Sequence, residues 1–139
     1  MNVIGFDGKE YDLSFKRYRY NSRRTKNKSG LHLTAREILS RLIPYETVYE
    51  EVSLPGSRTR ANGILYADFF APNLELIIEV HGQQHYEYSA RFHKTKADFR
   101  KSQLRDKKKR QWCELNGIGL IELSYNEVDK WEHLILEWL

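Results

Sequence analysis

Two short apolar runs, residues 64–70 and 76–80, constrain this chain most, because each carries one carboxylate inside it. Asp68 interrupts the first run and Glu79 interrupts the second. Burying an unpaired charge among apolar side chains is costly, so each carboxylate needs a cation or another partner. The two runs therefore predict a pair of β-strands built around a charged site.

The residues between these runs predict how the strands pair. Pro72 and Asn73 lie there, and a connection of either two or four residues gives an antiparallel hairpin. The shorter connection makes Asp68 and Glu79 diagonal neighbours, whereas the longer one places them directly opposite, about 5 Å apart between Cβ atoms. His81 is two positions beyond Glu79 and shares its face. We expect these groups to converge at the end of the hairpin.

Length and cysteine content limit the class of protein. A chain of 139 residues is most simply one domain, with enough core to fold without disulfides. The single cysteine, Cys113, excludes an intrachain disulfide and a cysteine-rich zinc cluster, which favours an intracellular, cytoplasmic location. No apolar run approaches the roughly 18 residues that span a bilayer, so we expect a soluble protein with no membrane partner.

Positive charge is concentrated in two segments. Of the 23 Lys and Arg residues, seven fall within residues 16–28 and ten within residues 91–110. Such stripes indicate a polyanionic partner. The cations expected to contact phosphates are Arg23, Arg24, Arg58, Arg60, Arg100, Arg105, Lys107, Lys109 and Arg110.

The pattern predicts an N-terminal arm, residues 1–30, followed by one domain, residues 31–139. The arm interleaves aromatic and basic residues, which is typical of a solvated segment or of a DNA-contacting one. In the second case Tyr18 or Tyr20 stacks on bases or wedges between them.

The rest of the chain reads as helix, three strands, long helix, strand and helix, which predicts an α/β fold with a mixed central sheet flanked by helices. The first helix is expected to begin at Thr34, because Thr34 and Glu37 have capping-box spacing. Glu37 is therefore either a capping residue or a catalytic one. The expected elements are residues 34–43, 47–54, the two strands of the hairpin, 94–115, 118–123 and 127–139.

The hairpin residues can bind a metal and move a proton. Asp68 and Glu79, assisted by the carbonyl of Val80, offer the oxygen ligands that Mg²⁺ prefers, and Mn²⁺ can substitute. His81 or His85 can take a proton from an attacking water. Two alternatives remain open for these histidines: a structural zinc site and a simple hydrogen-bonded pair.

Asp106 lies on the long helix, about 200° around the axis from Leu104, so core packing does not explain it. It is either a solvated partner for its cationic neighbours or a carboxylate that orients a histidine of the site.

Asp68, ten further residues and the Glu-x-His sequence of residues 79–81 resemble the Asp…Glu-x-Lys core of the PD-(D/E)xK nuclease superfamily, with His81 in place of the lysine. Across roughly residues 31–125, the layout is similar to that of very-short-patch repair endonucleases, and it matches the EDxHD homing endonuclease family best. The ordered Glu, Asp, His and Asp of that family fall on Glu37, Asp68, His85 and Asp106, with Glu79 or His81 near the variable position.

This resemblance implies a restriction-endonuclease-like three-layer sandwich and Mg²⁺-dependent endonuclease or nicking activity on double-stranded DNA, which would be the polyanionic partner. Asp68 would hold the metal, and a histidine would replace the lysine at the water. The repair enzymes also carry zinc on cysteines, which this chain lacks, so a true mismatch-repair role is not expected. The resemblance also suggests a phage- or mobile-element-encoded protein that acts as a homodimer or with an additional recognition domain.

Two other functions remain open. One is a non-catalytic DNA-binding module on the same fold, which would bind without a divalent ion. The other is a nuclease for RNA or branched DNA, which a panel of substrates would identify.

Overall fold

The computed structural model describes residues 1–18 and 29–139. Two of its strands form an N-terminal hairpin, and the other four form the central sheet. The elements in chain order are β1 (Asn2–Ile4), β2 (Glu10–Asp12), α1 (Gly30–Leu42), β3 (Tyr49–Ser53), β4 (Tyr66–Ala71), β5 (Leu76–His81), α2 (Lys96–Leu115), β6 (Gly119–Ser124) and α3 (Val128–Trp138).

The central sheet has the order β3-β4-β5-β6 and is mixed. β3, β4 and β5 pair antiparallel, whereas β6 pairs parallel to β5. A parallel neighbour needs a crossover connection, and α2 supplies it between β5 and β6. The predicted α/β class and the mixed sheet are therefore confirmed.

Helices cover both faces of this sheet. On one face, α1 and α3 pack against β4 and β5, with Phe69, Ile78 and Trp131 in one apolar cluster. On the other face, Trp112 of α2 packs in a second cluster with Phe70. Both clusters are built on β4 and β5, because Leu76–His81 and its partner strand are apolar on both sides.

Helix α1 begins four residues earlier than its sequence predicts. The Ser29 hydroxyl accepts a hydrogen bond from the backbone N–H of His32 at 3.1 Å, which makes Ser29 the N-cap. The Thr34 hydroxyl instead donates to the Gly30 carbonyl at 2.9 Å, inside the helix. The predicted capping box of Thr34 and Glu37 is therefore wrong.

The N-terminal hairpin packs onto the sheet. Val3, Leu13 and Tyr18 are buried in the same cluster as Phe70, and the Tyr18 hydroxyl lies 2.9 Å from the hydroxyl of Ser53. Tyr18 is thus committed to the core, so base stacking does not fit its position. Tyr20, which shared that prediction, lies outside the described residues.

Helix α2 begins with a capping box in which Thr95 and Asp98 exchange hydrogen bonds of 3.1 and 3.2 Å. Its buried residues are Asp106, Trp112 and Cys113, so a carboxylate lies on its inner face. Within residues 1–18 and 29–139, neither this helix nor another is long and apolar enough to cross a membrane.

Candidate active site

Asp68 and Glu79 lie on facing positions of β4 and β5, where each carboxylate bonds to the opposite strand. The regular ladder ends at the pair Phe69↔Ile78, and the next pair in that register is Asp68 with Glu79. Glu79 Oε2 accepts from the Asp68 N–H at 2.7 Å, and Asp68 Oδ2 accepts from the Val80 N–H at 2.9 Å. The two carboxylates therefore replace ladder carbonyls. Of the two connections that the sequence allowed, the structure contains the four-residue one.

The alternation of side chains also changes here. Ala67 and Phe70 belong to one apolar cluster although their odd separation would place them on opposite faces of a regular strand. On β3, the register places Glu51 across from Asp68, and Glu51 has a φ of 54°, which is uncommon for a residue other than glycine. Asp68 and Glu51 line the same cavity.

This cavity has a volume of about 570 Å³ and lies where the strands open. Its walls include residues from α1, from the strands β3, β4 and β5, from the turn that follows β5, and from α2. The lining residues that can bind a cation or exchange a proton are His32, Glu51, Asp68, His85 and Lys109, with Val80 beside them.

Glu79 lies beneath the cavity and is only 2% exposed. Burial raises the pKa of its carboxyl to about 8, and the charge of Asp68 adds to this effect. The ammonium of Lys109 opposes it by donating a hydrogen bond to Glu79 Oε1. Burial alone would lower the pKa of Lys109, but the charges of Glu79 and Asp68 outweigh it and raise that pKa.

Lys109 therefore lies inside the site, although its sequence context predicts a phosphate contact on the outer surface. It follows Asp106 by three positions and precedes Trp112 by three, so all three lie on the inner face of α2. Its side chain is 13% exposed. Lys109 thus reaches the Glu79 carboxylate from α2. His81 lies on β5, at the position where the Asp…Glu-x-Lys pattern has its lysine.

His85 and Asp106 form a hydrogen-bonded histidine–carboxylate pair. His85 Nδ1 lies 2.9 Å from Asp106 Oδ2, which fixes the ring and directs Nε2 away from the carboxylate. Burial would raise the pKa of Asp106, but the hydrogen bond from His85, together with nearby positive charge such as that of Lys109, outweighs it and lowers that pKa. Asp106 was predicted either to be a solvated partner for cations or to orient a histidine. In the structure it is buried and contacts His85.

His81 stacks on His85 with ring centroids 4.3 Å apart and planes 5° apart. Its Nδ1 lies 3.2 Å from Glu122 Oε2 on β6. Burial lowers the pKa of His81, which Asp106 and Glu122 only partly offset. His81 therefore remains neutral more readily than an exposed histidine.

A second histidine network enters from α1. His32 is 5% exposed and stacks on Phe69 with ring centroids 4.5 Å apart. Its Nε2 lies 2.6 Å from Glu50 Oε1, and Arg36 donates to both Glu50 oxygens at 2.8 Å. Ligand atoms of His32, Glu51 and Asp68 all lie within 4.8 Å of one another.

The donors present fit a divalent cation at Asp68. Oδ1 of Asp68 accepts no hydrogen bond from the described part of the chain, so it can bind an ion while Oδ2 holds Val80. Glu79 fits less well, because its two oxygens already accept from Asp68 and Lys109. Of the predicted metal ligands, Asp68 and Val80 line the cavity, and Glu79 supports them from below.

The structure does not bring Glu37 into the site. Glu37 is exposed on α1, five residues and about 140° of helix rotation beyond His32. His32 and Glu51 stand in the cavity instead, and both are missed by the sequence patterns. One signal for Glu51 was available, since adjacent acids at positions 50 and 51 cannot both face solvent in a half-buried strand.

Apart from Lys109, the predicted phosphate contacts divide into four groups. Arg100, Arg105 and Lys107 are exposed on α2. Arg110 is bonded to Glu122 at 2.6 and 2.8 Å. The remaining members are Arg58 and Arg60, both exposed in the loop before β4, and Arg23 and Arg24, which lie outside the described residues.

These features define an α/β protein with a mixed sheet and a carboxylate–histidine cavity where two strands separate. The chain is 41% identical over 73 residues to uncharacterized protein 307L of Invertebrate iridescent virus 6, covering 52% of this chain and 37% of that protein. It is 41% identical over 61 residues to uncharacterized protein 033L of Invertebrate iridescent virus 3, covering 44% and 31%.

A third relative is uncharacterized protein 094L of Frog virus 3 (isolate Goorha), which is 44% identical over 66 residues, covering 47% of this chain and 43% of that protein. The matched segments thus span less than half the length of each relative. No family model matches the chain. No solved structure matches it significantly.

Proposed function

We propose that this protein is a metal-dependent endonuclease that hydrolyses phosphodiester bonds in DNA, on a restriction-endonuclease-like fold. The main support is the His85–Asp106 pair, at 2.9 Å, on the cavity that also contains Asp68. This combination supplies a general base next to a carboxylate that can hold Mg²⁺ or Mn²⁺. The resemblance to very-short-patch repair and EDxHD homing endonucleases over roughly residues 31–125 agrees with it at Asp68, His85 and Asp106, although Glu37 lies outside the site.

His85 acts as the general base in this mechanism. Its Nδ1–H donates to Asp106, so the lone pair on Nε2 is available to take a proton from water. Asp106 is the positioning residue, because it fixes the tautomer and stabilises the imidazolium that forms. His81 packs against the His85 ring and holds its plane.

The charges in the cavity favour the transition state of phosphate attack. A divalent cation bound beside Asp68 would neutralise charge on the phosphate oxygens and lower the pKa of the attacking water. Lys109 adds a positive charge on the cavity wall, and its bond to Glu79 fixes its position. Exposed cations of α2, such as Arg100 and Arg105, would hold the DNA backbone by charge.

Plasmid cleavage tests this proposal. With Mg²⁺ present, the wild-type protein should nick or linearise supercoiled DNA, and chelation of the ion should stop the reaction. Removing the base or the metal ligand, in His85→Ala or Asp68→Asn, should lower the rate by about 10²- to 10⁴-fold. The matched control is His133→Ala, an exposed histidine on α3.

Full activity of His85→Ala would contradict the assignment of the base. A wild-type protein that binds DNA but cleaves neither duplex DNA, branched DNA nor RNA with Mg²⁺ or Mn²⁺ would support the non-catalytic module instead. Cleavage restricted to RNA or to branched DNA would support the proposed phosphodiester hydrolysis but show that the substrate is not ordinary duplex DNA.

A further inference from the structure

We propose that His32, Glu51 and Asp68 form a separate binding site for a divalent transition-metal ion, on the α1 side of the cavity. This site goes beyond the proposed nuclease function, and it does not require that function. Its three ligands come from α1, β3 and β4. Only Asp68 is common to this site and to the proposed catalytic machinery.

The spacing of the three groups suits one ion. Their ligand atoms lie within 4.8 Å of one another. Donors bound to one ion at about 2.0–2.2 Å are roughly 3 to 4 Å apart. Small side-chain rotations are therefore enough to close the site.

The imidazole of His32 is held as a metal-binding histidine usually is. One ring nitrogen, Nε2, bonds to Glu50 at 2.6 Å, and Arg36 fixes that carboxylate through two further bonds. The other nitrogen, Nδ1, has no hydrogen-bond partner in the described ranges, and the residue lines the cavity. A carboxylate behind a ligating histidine fixes the tautomer and strengthens the ligand.

The backbone of β3 explains how Glu51 reaches His32. In a regular strand, Glu50 and Glu51 would point to opposite faces. Here Glu50 bonds to His32, and a carboxylate oxygen of Glu51 also lies within 4.8 Å of a His32 ring nitrogen. The positive φ of Glu51, 54°, allows this departure from alternation. Such strained conformations persist where a site requires them.

The donor set selects the kind of ion. An imidazole nitrogen with two carboxylates suits Mn²⁺, Fe²⁺, Co²⁺ or Zn²⁺ better than Mg²⁺, which prefers oxygen ligands alone. The other histidine cluster, His81 with His85 and Asp106, is a weaker candidate. Its rings are stacked almost parallel, so their lone pairs do not converge, and His85 Nδ1 is already bonded to Asp106.

Co²⁺ binding to the metal-free protein, without nucleic acid, tests the inference through the visible absorption of the bound ion. We expect one equivalent to bind and an excess of Mg²⁺ to leave it in place. His32→Phe, which keeps the ring packing on Phe69, should abolish the absorption. Glu50→Gln should weaken binding about 10- to 100-fold although Glu50 does not touch the ion.

His85→Ala should leave Co²⁺ binding unchanged and serves as the matched histidine control. Loss of the signal in His85→Ala but not in His32→Phe would move the ion to the other cluster and overturn the inference, as would a wild-type protein that binds no Co²⁺. Glu51→Gln, at a partly exposed position, gives the same test if His32→Phe does not fold.

The outcomes also separate the two proposals. Co²⁺ binding without plasmid cleavage would remove the nuclease function and keep this site. Cleavage with Mg²⁺, together with unchanged Co²⁺ binding in His32→Phe, would support the nuclease function and overturn the metal site at His32, Glu51 and Asp68.

Discussion

Lys109, on the cavity wall, forms an ion pair with the buried carboxylate of Glu79. Glu79 is buried, and the Lys109 ammonium is its cationic partner. Removing one member of a buried pair leaves the other without compensation, which is usually far more damaging than removing both. The stability of the fold therefore depends on Lys109 remaining next to Glu79.

Replacing Lys109 with methionine should lower the free energy of unfolding by roughly 3 kcal/mol at neutral pH. The loss is limited because burial raises the pKa of Glu79, so its carboxyl can bind a proton once the ammonium is gone. Urea unfolding measures the change. Lys107→Met, at an exposed position of the same helix, should change stability by less than about 0.5 kcal/mol.

The double variant Lys109→Met with Glu79→Gln should recover part of this loss, because no charge is then left buried. Equal stability of the single and double variants would show that the ion pair does not govern this region.

His81 should make stability depend on pH. Burial lowers its pKa, so the unfolded chain binds a proton more readily than the folded one as the pH falls. The contribution is fully present above the ordinary imidazole pKa of about 6.5 and is lost below it. His81→Gln should therefore lose less stability than the wild type between about pH 7.5 and pH 5.5.

Urea unfolding at both pH values measures this difference. His133→Gln, which removes an exposed histidine from α3, should follow the wild type. An identical pH dependence in His81→Gln and the wild type would contradict the prediction.

Helix α1 positions His32 one turn from its N-terminus, so the N-cap affects the site directly. Ser29→Ala should lower the free energy of unfolding by about 1 kcal/mol, because the N–H of His32 loses its acceptor. Thr34→Ala should change it by less than about 0.5 kcal/mol, since its hydroxyl only bonds within the helix. Thermal and urea unfolding distinguish the two, and a larger loss for Thr34→Ala would restore the sequence-based helix start.

The elements that sequence predicts well are those with strong local signals. The hairpin of β4 and β5 follows from two apolar runs and a turn, and its register brings Asp68 opposite Glu79. The start of α1 is mispredicted because two capping signals compete, and the Ser29 cap prevails. Glu51 joins the site through sheet register and a positive φ, and its one local signal is the adjacent acid at position 50. His32 joins from α1 and leaves no local pattern in the chain.

The charge of the whole molecule bears on how it would meet DNA. Arg100, Arg105 and Lys107 are exposed on α2, whereas Lys109 and Arg110 of the same basic run bond to Glu79 and Glu122. Only part of the positive charge of the chain is therefore available to a partner. The number of Lys and Arg residues alone, 23, overstates how many phosphates the protein can neutralise.

Duplex DNA binding should weaken as salt rises, in proportion to the phosphates neutralised. Changing Arg100, Arg105 and Lys107 together to glutamine should reduce the slope of log K against log salt by roughly 0.9 for each phosphate that is no longer neutralised. Fluorescence anisotropy in a chelating buffer measures this slope. Lys130→Gln on α3 is the control, and an unchanged slope in the triple variant would place the DNA on another face.

The walls of the cavity come from segments that are far apart in the chain, from His32 on α1 to Lys109 on α2. The unfolded polypeptide therefore has no such arrangement of donors, and an ion that binds there binds the native state alone. Occupancy then adds to the unfolding free energy by mass action, as RT ln(1 + [ion]/Kd). The melting temperature of this protein should consequently act as a gauge of the metal around it.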